Sequence, residues 1–474
     1  MKNCTGISFF AKIKKKFVVL LSFFLCINFL FMLTSCNEVE EEEEIASDYG
    51  SYGKDAAISL ASQFPQREAF SQQERDAAAF LKTEFEKLGF HVEEQTFSSA
   101  FGTSTNLIVR ISGEGFMVRG ENEIYRRENR QVIIGSHYDV FLPLEIRGIP
   151  PDDENPEENP EEQADVPEDG SEDIPETTEY KPPLLPYSGI HDSAAGIGVL
   201  LSIAKELKTE KFGYDVVLVA FGAGATEQLG SKFFSSQMTQ QEKDSTDVMY
   251  CIDSIYAGEK VYASAGWNSL IPGHKYEMRR KLYELYDVVY EYSLPYQRNE
   301  DDELIGYDFR YNQSDVVEDI NGDGIYDYYR EVTYEKGDYI PFDQAGIPIV
   351  FIESFDYDFP SIEEMKETKN LSLQAYGGRV RGTMLDAIEL LEEVLSPDQL
   401  ERRINSVTFA VTKAIVKGAH DAVTTSEYKN DIRLAPSITV SSAAAEETAL
   451  TPVTNPIQTV PPPVTEVEES EPEQ

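Results

Sequence analysis

The first candidate functional motif is His137-Tyr138-Asp139, which follows the apolar run 131–135. Ligands of α/β proteins bind at the carboxyl ends of the strands, so a histidine that ends a strand is well placed for a site. His137 could give a ring nitrogen to a metal ion while Asp139 orients the ring. A histidine near the end of a strand is also common as a structural residue, so the motif alone leaves both interpretations open.

A second motif, Gly-Ile-His-Asp-Ser over 189–193, precedes an apolar helical stretch. Its Asp192 could bridge metal ions, or it could simply cap the helix that follows. The neighbouring His191 is a candidate substitute ligand. Asp253 directly follows another apolar run, so we expect its carboxylate to lie at the end of a strand, as the imidazole of His137 does.

These motifs need a sheet to position them. Strand-like apolar runs lie at 105–111, 131–135, 215–221, 248–252 and 347–352. Helical patterns over 194–207 and 385–395 alternate with them, and a capping-box sequence at 71–74 opens a further helix. This alternation predicts an α/β fold with a mixed, mostly parallel central sheet sandwiched by helices.

The predicted domain covers 48–433 and carries two insertions. Residues 141–187 are rich in proline and acid, with 14 acidic and no basic residues from Asp152 to Glu179, which predicts a disordered acidic insertion. Residues 274–336 form a second insertion, rich in tyrosine and aspartate. The Ser, Thr, Pro and Glu composition of 434–474 predicts a disordered tail.

The N-terminus has the layout of a secretory signal over residues 1–35: four lysines between Lys12 and Lys16, then an apolar run that ends just before Cys36. The small residues before Cys36 resemble a bacterial lipobox, which implies lipidation of Cys36. A plain transmembrane anchor is the alternative. An acidic spacer, 36–47, follows. The expected location is therefore outside the cytoplasm, anchored by lipid to a bacterial membrane or cell surface.

The formal net charge of −44 excludes nucleic acid as a partner, because such a chain repels phosphate backbones.

Taken in order, the motifs resemble metallopeptidase family twenty-eight, the co-catalytic zinc family of secreted aminopeptidases and glutamate carboxypeptidase. The resemblance includes Phe64-Pro65-Gln66-Arg67 and the stretch from Gly337 to Pro348. It implies two zinc ions that share a bridging aspartate, with a glutamate as general base. By this resemblance, His137, Asp192 and Asp253 fall on metal-ligand positions, and Asp139 falls on the orienting position.

The other family positions are not filled. The expected Glu-Glu pair, base and ligand, becomes Gly224 and Ala225, and Gly382 stands where the second histidine ligand is expected. Glu227 is a weak substitute, displaced by two or three residues. The sequence therefore predicts a partial zinc site without an intact catalytic residue.

A second metal candidate lies in the second insertion. Oxygen donors at loop positions 1, 3, 5, 7 and 9 resemble a calcium loop: Asp319, Asn321, Asp323, Ile325 (through its carbonyl) and Asp327. Position 12 is Arg330 instead of a bidentate glutamate. A hairpin turn through Asn-Gly or Asp-Gly is the alternative.

The predicted function is an exported, lipid-anchored, zinc-peptidase-like protein that is catalytically degenerate and binds a peptide, a small ligand or a single metal ion. One alternative is an active metallo-exopeptidase that removes N-terminal amino acids from peptides. The other is a structural or interaction surface lipoprotein.

Overall fold

A computed structural model shows an α/β domain built on one large sheet. The residues that the structure describes are 48–120, 124–147, 186–292, 294, 296–298, 304–307, 309–310, 317–319, 322, 324, 326–328, 331–333, 335–359, 361, 364–419 and 422–430. The predicted signal segment with Cys36, the spacer, most of the acidic insertion and the predicted tail lie outside them.

The strands of the central sheet are β1 (Glu93–Ser99), β2 (Gly102–Ile111), β5 (Gln131–His137), β6 (Asp215–Phe221), β7 (Thr246–Ile252), β8 (Lys260–Ser264), β11 (Phe309–Arg310) and β14 (Ile349–Phe355). Smaller sheets contain β3 (Phe116–Arg119), β4 (Tyr125–Glu128), β9 (Tyr296–Arg298), β10 (Leu304–Tyr307), β12 (Val317–Glu318), β13 (Asp327–Tyr328) and β15 (Val423–Thr424).

The helices are α1 (Ser51–Gln63), α2 (Gln72–Lys87), α3 (Ala195–Leu207), α4 (Leu229–Gln237), α5 (Gln240–Ser245), α6 (Lys275–Glu291), α7 (Ile340–Gln344), α8 (Ile388–Val394), α9 (Gln399–Lys417) and α10 (Thr425–Asn430). Within the described residues, no helix combines the length and the apolar character needed to cross a bilayer.

The order of the central sheet is β1-β2-β6-β5-β7-β14-β8-β11. Its four middle strands, β6, β5, β7 and β14, run parallel. On one side β2 pairs with β6, and β1 with β2, in antiparallel fashion. On the other side β8 pairs antiparallel with β14 and parallel with β11. The predicted mixed, mostly parallel sheet is confirmed. Because the middle strands share one direction, their carboxyl ends meet at one edge, and residues that follow them in sequence gather there.

Both faces of the sheet are covered. In β5, Val132 and Ile134 pack into the larger core on one face, while Ile133 packs into a second core on the other. Parallel strands buried on both faces read as continuous apolar runs, because each face needs apolar side chains. This is why the central strands were recognisable in the sequence.

Helix α3 packs tightly against the sheet at its first turn. A Cβ atom on Gly196 would lie 2.5 Å from the hydroxyl of Ser136 and 3.0 Å from the carbonyl oxygen of Asp253. Only glycine permits this approach. The close contact places residues 190–194, which lead into α3, directly beside the ends of β5 and β7.

Two regions differ from the sequence interpretation. Helix α6 occupies the first part of the predicted second insertion, and its buried residues Leu282, Leu285 and Val289 follow helical spacing that the intervening tyrosines and charges conceal. Leu142 and Tyr187, near the two ends of the predicted acidic insertion, are buried together with Val140, so both ends are built into the domain.

Candidate metal and ligand site

The candidate site lies at the carboxyl edge of the four parallel strands. His137 is the last residue of β5, and Asp253 directly follows β7. Asp192 comes from the segment 190–194, in front of α3. The topology thus brings together three residues that are more than 50 positions apart in sequence, as the resemblance implied.

These three side chains lie close enough together to hold one metal ion. One ligand atom from each of His137, Asp192 and Asp253 lies within 4.8 Å of the other two, and all three residues are buried. His137 Nε2 is 3.2 Å from Asp192 Oδ1. Ligands about 2.1 Å from a tetrahedral zinc ion stand roughly 3.4 Å apart, so this part of the chain fits one zinc ion.

Asp139 orients the histidine. The Nδ1 atom of His137 lies 3.3 Å from Asp139 Oδ1 and 3.1 Å from the carbonyl oxygen of Asp139. The same carboxylate accepts hydrogen bonds from the backbone N–H groups of Gly224 and Ala225. With Nδ1 held in this way, Nε2 is the nitrogen that faces Asp192 and the metal position.

Electrostatics around His137 favour its charged form when no metal is bound. Burial by itself would lower the pKa of His137, but the hydrogen bonds to Asp139 and Asp192 raise it well above its usual value. A metal ion at this site must therefore displace a proton from the imidazole.

Asp386 holds the segment that carries Asp192. Its two carboxylate oxygens accept hydrogen bonds from the backbone N–H of His191, at 2.8 Å, and of Asp192, at 3.0 Å. Asp386 is fully buried, and burial raises its pKa to about 6. Sequence reasoning gave Asp386 no role in the site.

Arg67 ties the two ligand-bearing segments together. Its buried guanidinium donates to the carbonyl oxygens of Tyr138, Ser188 and Gly189, at 2.6, 2.9 and 2.7 Å. Tyr138 follows His137, and Ser188 and Gly189 precede the segment of Asp192. Arg67 was recognised in the sequence only as part of an N-terminal family motif.

The expected base position is sterically closed. A Cβ atom on Gly224 would lie 2.2 Å from the Cβ of His137 and 2.8 Å from Asp338 Oδ2. Any side chain at position 224 would therefore displace a predicted metal ligand. Ala225 offers only a methyl group.

Neither predicted substitute joins the three-residue group. The side chain of Glu227 is 83% exposed, and its carboxylate is 4.0 Å from Lys232 Nζ. Because Glu227 points into solvent, it does not replace the missing glutamates.

His191 is buried, and its Nδ1 atom is committed to hydrogen bonds with the backbone. Its Nδ1 accepts hydrogen bonds from the backbone N–H groups of Tyr256 and Ala257, at 3.2 and 3.0 Å. The ring proton is then on Nε2, which faces Glu367 Oε2 at 3.8 Å. A ring held in this tautomer has no free lone pair for a metal, so the structure does not favour His191 as a substitute ligand.

On the other side of Asp253 stands Arg381, which sequence reasoning missed. Its Nη2 is 3.4 Å from Asp253 Oδ1 and 3.7 Å from Glu353 Oε2, and its Nε is 3.5 Å from Glu367 Oε1. Burial raises the pKa of Glu353 to about 8. The residue after Arg381 is Gly382, at the position expected for the second histidine, so an arginine adjoins the place from which a ligand is missing.

The site opens into a cavity of about 450 Å³. The lining residues beyond the three predicted ligands include Phe141, Gln228, Glu335, Lys336, Asp338 and Arg379. Asp338 is buried beside His137, and burial raises its pKa to about 6. A cavity of this size, with charges of both signs, suits a short peptide segment or a small polar ligand.

The predicted calcium loop is described only in part. β12 and β13 pair in antiparallel fashion on either side of it, and Asp319 Oδ2 accepts a hydrogen bond from the backbone N–H of Gly324. Asn321, Asp323 and Ile325 lie outside the described residues, as does the side chain of Asp327. Calcium binding therefore stays a prediction.

Comparison with known proteins points in the same direction. The sequence profile described as Peptidase family M28 matches residues 116–369, which is more than half of the chain. The Escherichia coli (strain K12) protein described as alkaline phosphatase isozyme conversion protein is 24% identical over 220 residues, which are 46% of this chain and 54% of that protein. The chain thus matches about half the length of this relative.

Solved structures similar to this chain include a zinc aminopeptidase from Bacillus subtilis, with 12% identity and a TM-score of 0.45 over 77% of this chain and 95% of that one. A Porphyromonas gingivalis glutaminyl cyclase shows 15% identity and a TM-score of 0.44 over 78% of this chain and 99% of that one.

Proposed function

Because this chain belongs to peptidase family M28, we propose that it is a degenerate member that holds one metal ion through His137, Asp192 and Asp253 and binds a peptide in the adjoining cavity. Zinc is the metal typical of the family, and family membership implies a peptide ligand. The observation that carries the proposal is the contrast between these three assembled ligands and the closed position at Gly224.

The chain's own residues support binding better than hydrolysis. Asp139, Asp386 and Arg67 fix the ligand-bearing segments, so the metal position is organised before a ligand arrives. A zinc ion bound there would act as a Lewis acid toward a carbonyl oxygen of the ligand.

The expected proton-transfer group is missing beside that carbonyl. A general base contributes about 10²–10⁴ in rate, and Gly224 cannot supply one. The remaining residues would therefore bind a peptide without the general base that would help water to attack its carbonyl group.

Metal content and hydrolysis of aminoacyl-nitroanilides test this proposal. We expect about one zinc ion per purified chain, zinc loss in His137→Ala, and no hydrolysis above background in either protein. Two zinc ions per chain together with chelator-sensitive hydrolysis would refute it. Zinc-free protein whose peptide binding is unchanged by His137→Ala would instead favour the structural or interaction lipoprotein.

A second candidate, an active exopeptidase, is favoured by the position of Asp338. A Cβ atom on Gly224 would lie 2.8 Å from Asp338 Oδ2, so the carboxylate of Asp338 is next to the expected base position. If the protein is an active exopeptidase, Asp338→Asn should lower kcat by at least 100-fold while zinc content is retained. Equal activity of Asp338→Asn and the wild type would exclude Asp338 as the base.

We also propose that the protein is exported and lipid-anchored through Cys36. Support comes from the lysine-rich start, the apolar run and the small residues before Cys36. In bacterial cells, the wild type should be in the membrane fraction and incorporate labelled fatty acid, whereas Cys36→Ala should lose the label. Label incorporation by Cys36→Ala would contradict the assignment of Cys36.

A further inference from the structure

Arg381 lies where a cluster of buried carboxylates needs a cation. The Arg381 side chain is only 14% exposed, and it lies within 3.4–3.7 Å of oxygens from Asp253, Glu353 and Glu367. Asp253 and Glu353 belong to or follow neighbouring parallel strands, β7 and β14, while Glu367 comes from the chain after β14. The guanidinium therefore joins three separate parts of the fold.

Ionised carboxylates are expensive to bury without a positive charge. Glu367 is 4% exposed and Glu353 is 1% exposed. One oxygen of Glu353 accepts from Tyr357 and Thr333, whereas Oε2, which faces Arg381, has no hydrogen-bond partner among the described residues. Removing an isolated charge from water costs far more than a partnered one, so the cluster requires a nearby cation.

The position of this cation is significant because Asp253 is also a predicted metal ligand. Two-metal sites hold their ions about 3.5–4 Å apart, so that both ions share the same carboxylates. In this chain the guanidinium contacts Asp253 at 3.4 Å, and its neighbour Gly382 offers no ligand. The Arg381 side chain is always charged and is part of the chain, whereas a metal ion has to be bound from solution.

We propose that Arg381 takes the place of a second metal ion: its guanidinium neutralises Asp253 and Glu367, contacts Glu353, and limits the site to a single bound cation. This inference rests on the proposed single-metal function and deepens it. It follows that removal of the positive charge should strengthen the attraction of the cluster for metal, because the carboxylates lose their internal partner.

The test compares zinc binding by the wild type, Arg381→Met and Arg379→Met. Methionine keeps much of the length and the apolar stem of arginine without its charge. Arg379 is an exposed arginine that lines the same cavity and lies two residues away, so Arg379→Met is the matched control. Zinc stoichiometry is measured by native mass spectrometry, and affinity by competition with a chromogenic chelator.

We expect one zinc ion in the wild type and in Arg379→Met. Arg381→Met should bind zinc at least tenfold more tightly, or take up a second ion when zinc is in excess. If Arg381→Met does not fold, Arg381→Lys replaces it: the shorter side chain withdraws the charge from Asp253, and we expect an increase in zinc affinity of about threefold or more. Unchanged affinity in that variant would overturn the inference.

The outcomes separate this inference from the proposed function. One zinc ion bound with equal affinity by the wild type and Arg381→Met overturns the role of Arg381 and leaves the single-metal function intact. Zinc that is absent from the wild type but bound by Arg381→Met overturns the single-metal function and supports the role of Arg381.

Discussion

Replacing Gly224 with alanine tests whether the fold itself has closed the expected base position. The new Cβ atom would lie 2.2 Å from the Cβ of His137, whereas carbon atoms in favourable contact lie about 3.5–4.0 Å apart. At least roughly 1.3 Å of movement is therefore needed. His137 is fixed as the last residue of β5, and the backbone N–H of Gly224 is bonded to Asp139 at 2.7 Å, so neither side yields easily.

We expect Gly224→Ala to lower the free energy of unfolding by about 3 kcal/mol, the upper end of the usual cost of overpacking. With a urea m-value of about 3 kcal/mol/M, the unfolding midpoint falls by about 1 M. Zinc affinity should fall as well, because the movement displaces His137. Urea denaturation followed by circular dichroism, and chelator competition, measure the two effects.

Gly382→Ala is the matched control. Gly382 has a φ of +67°, so alanine there costs about 1–2 kcal/mol in backbone strain. Among the residues that the structure describes, however, its Cβ would meet only Phe141, at 3.7 Å. We expect a smaller loss of stability and no change in zinc affinity. If Gly224→Ala is as stable as the wild type and binds zinc equally well, the steric argument for a closed base position is refuted.

Substitutions at three further residues, Asp386, Arg67 and Glu74, test other parts of the structure. Asp386→Ala should weaken zinc binding about 10–100-fold in chelator competition, because the backbone N–H groups of His191 and Asp192 lose their acceptor. Asp386→Asn should weaken zinc binding less. If Asp386→Ala binds zinc as tightly as the wild type, Asp192 does not depend on Asp386. Arg67→Met should cost at least about 3 kcal/mol in urea unfolding because it removes the buried hydrogen bonds to three carbonyl groups, and a cost below about 1 kcal/mol would contradict this. Burial raises the pKa of Glu74 from 4.5 to about 7, so the folded state keeps a proton that the unfolded chain releases, and Glu74 lowers stability as the pH rises between these values. The urea midpoint should therefore fall more between pH 5 and pH 8 for the wild type than for Glu74→Gln. An equal fall in the two proteins would rule this out.

Much of the fold was predictable because both faces of the sheet are buried. Such strands are continuous apolar runs, so β6 was predicted with its actual bounds, and β5 and β7 within two residues at each end. Helix α6 was not predicted. Its buried side chains are separated by tyrosines and charged residues, which weaken the apolar pattern on which sequence reasoning depends.

The sequence by itself determined the family, the strand-end positions of His137 and Asp253, and the absence of side chains at Gly224 and Gly382 that could act as base or ligand. Residue identity is enough for these conclusions, because a position without a functional group cannot do chemistry in any fold.

Only the tertiary structure decided which polar groups complete the site. Arg381 and Glu367 lie far from Asp253 in sequence, and nothing in their local context distinguishes them from surface charges. Glu353 directly follows the apolar run 347–352, but its neighbours in the fold are not evident from that position. Their role follows from burial, which makes an unpaired carboxylate costly and forces charges from distant segments to meet. The tertiary structure also brings two backbone N–H groups of the 256–257 segment to Nδ1 of His191, a contact that the sequence does not reveal.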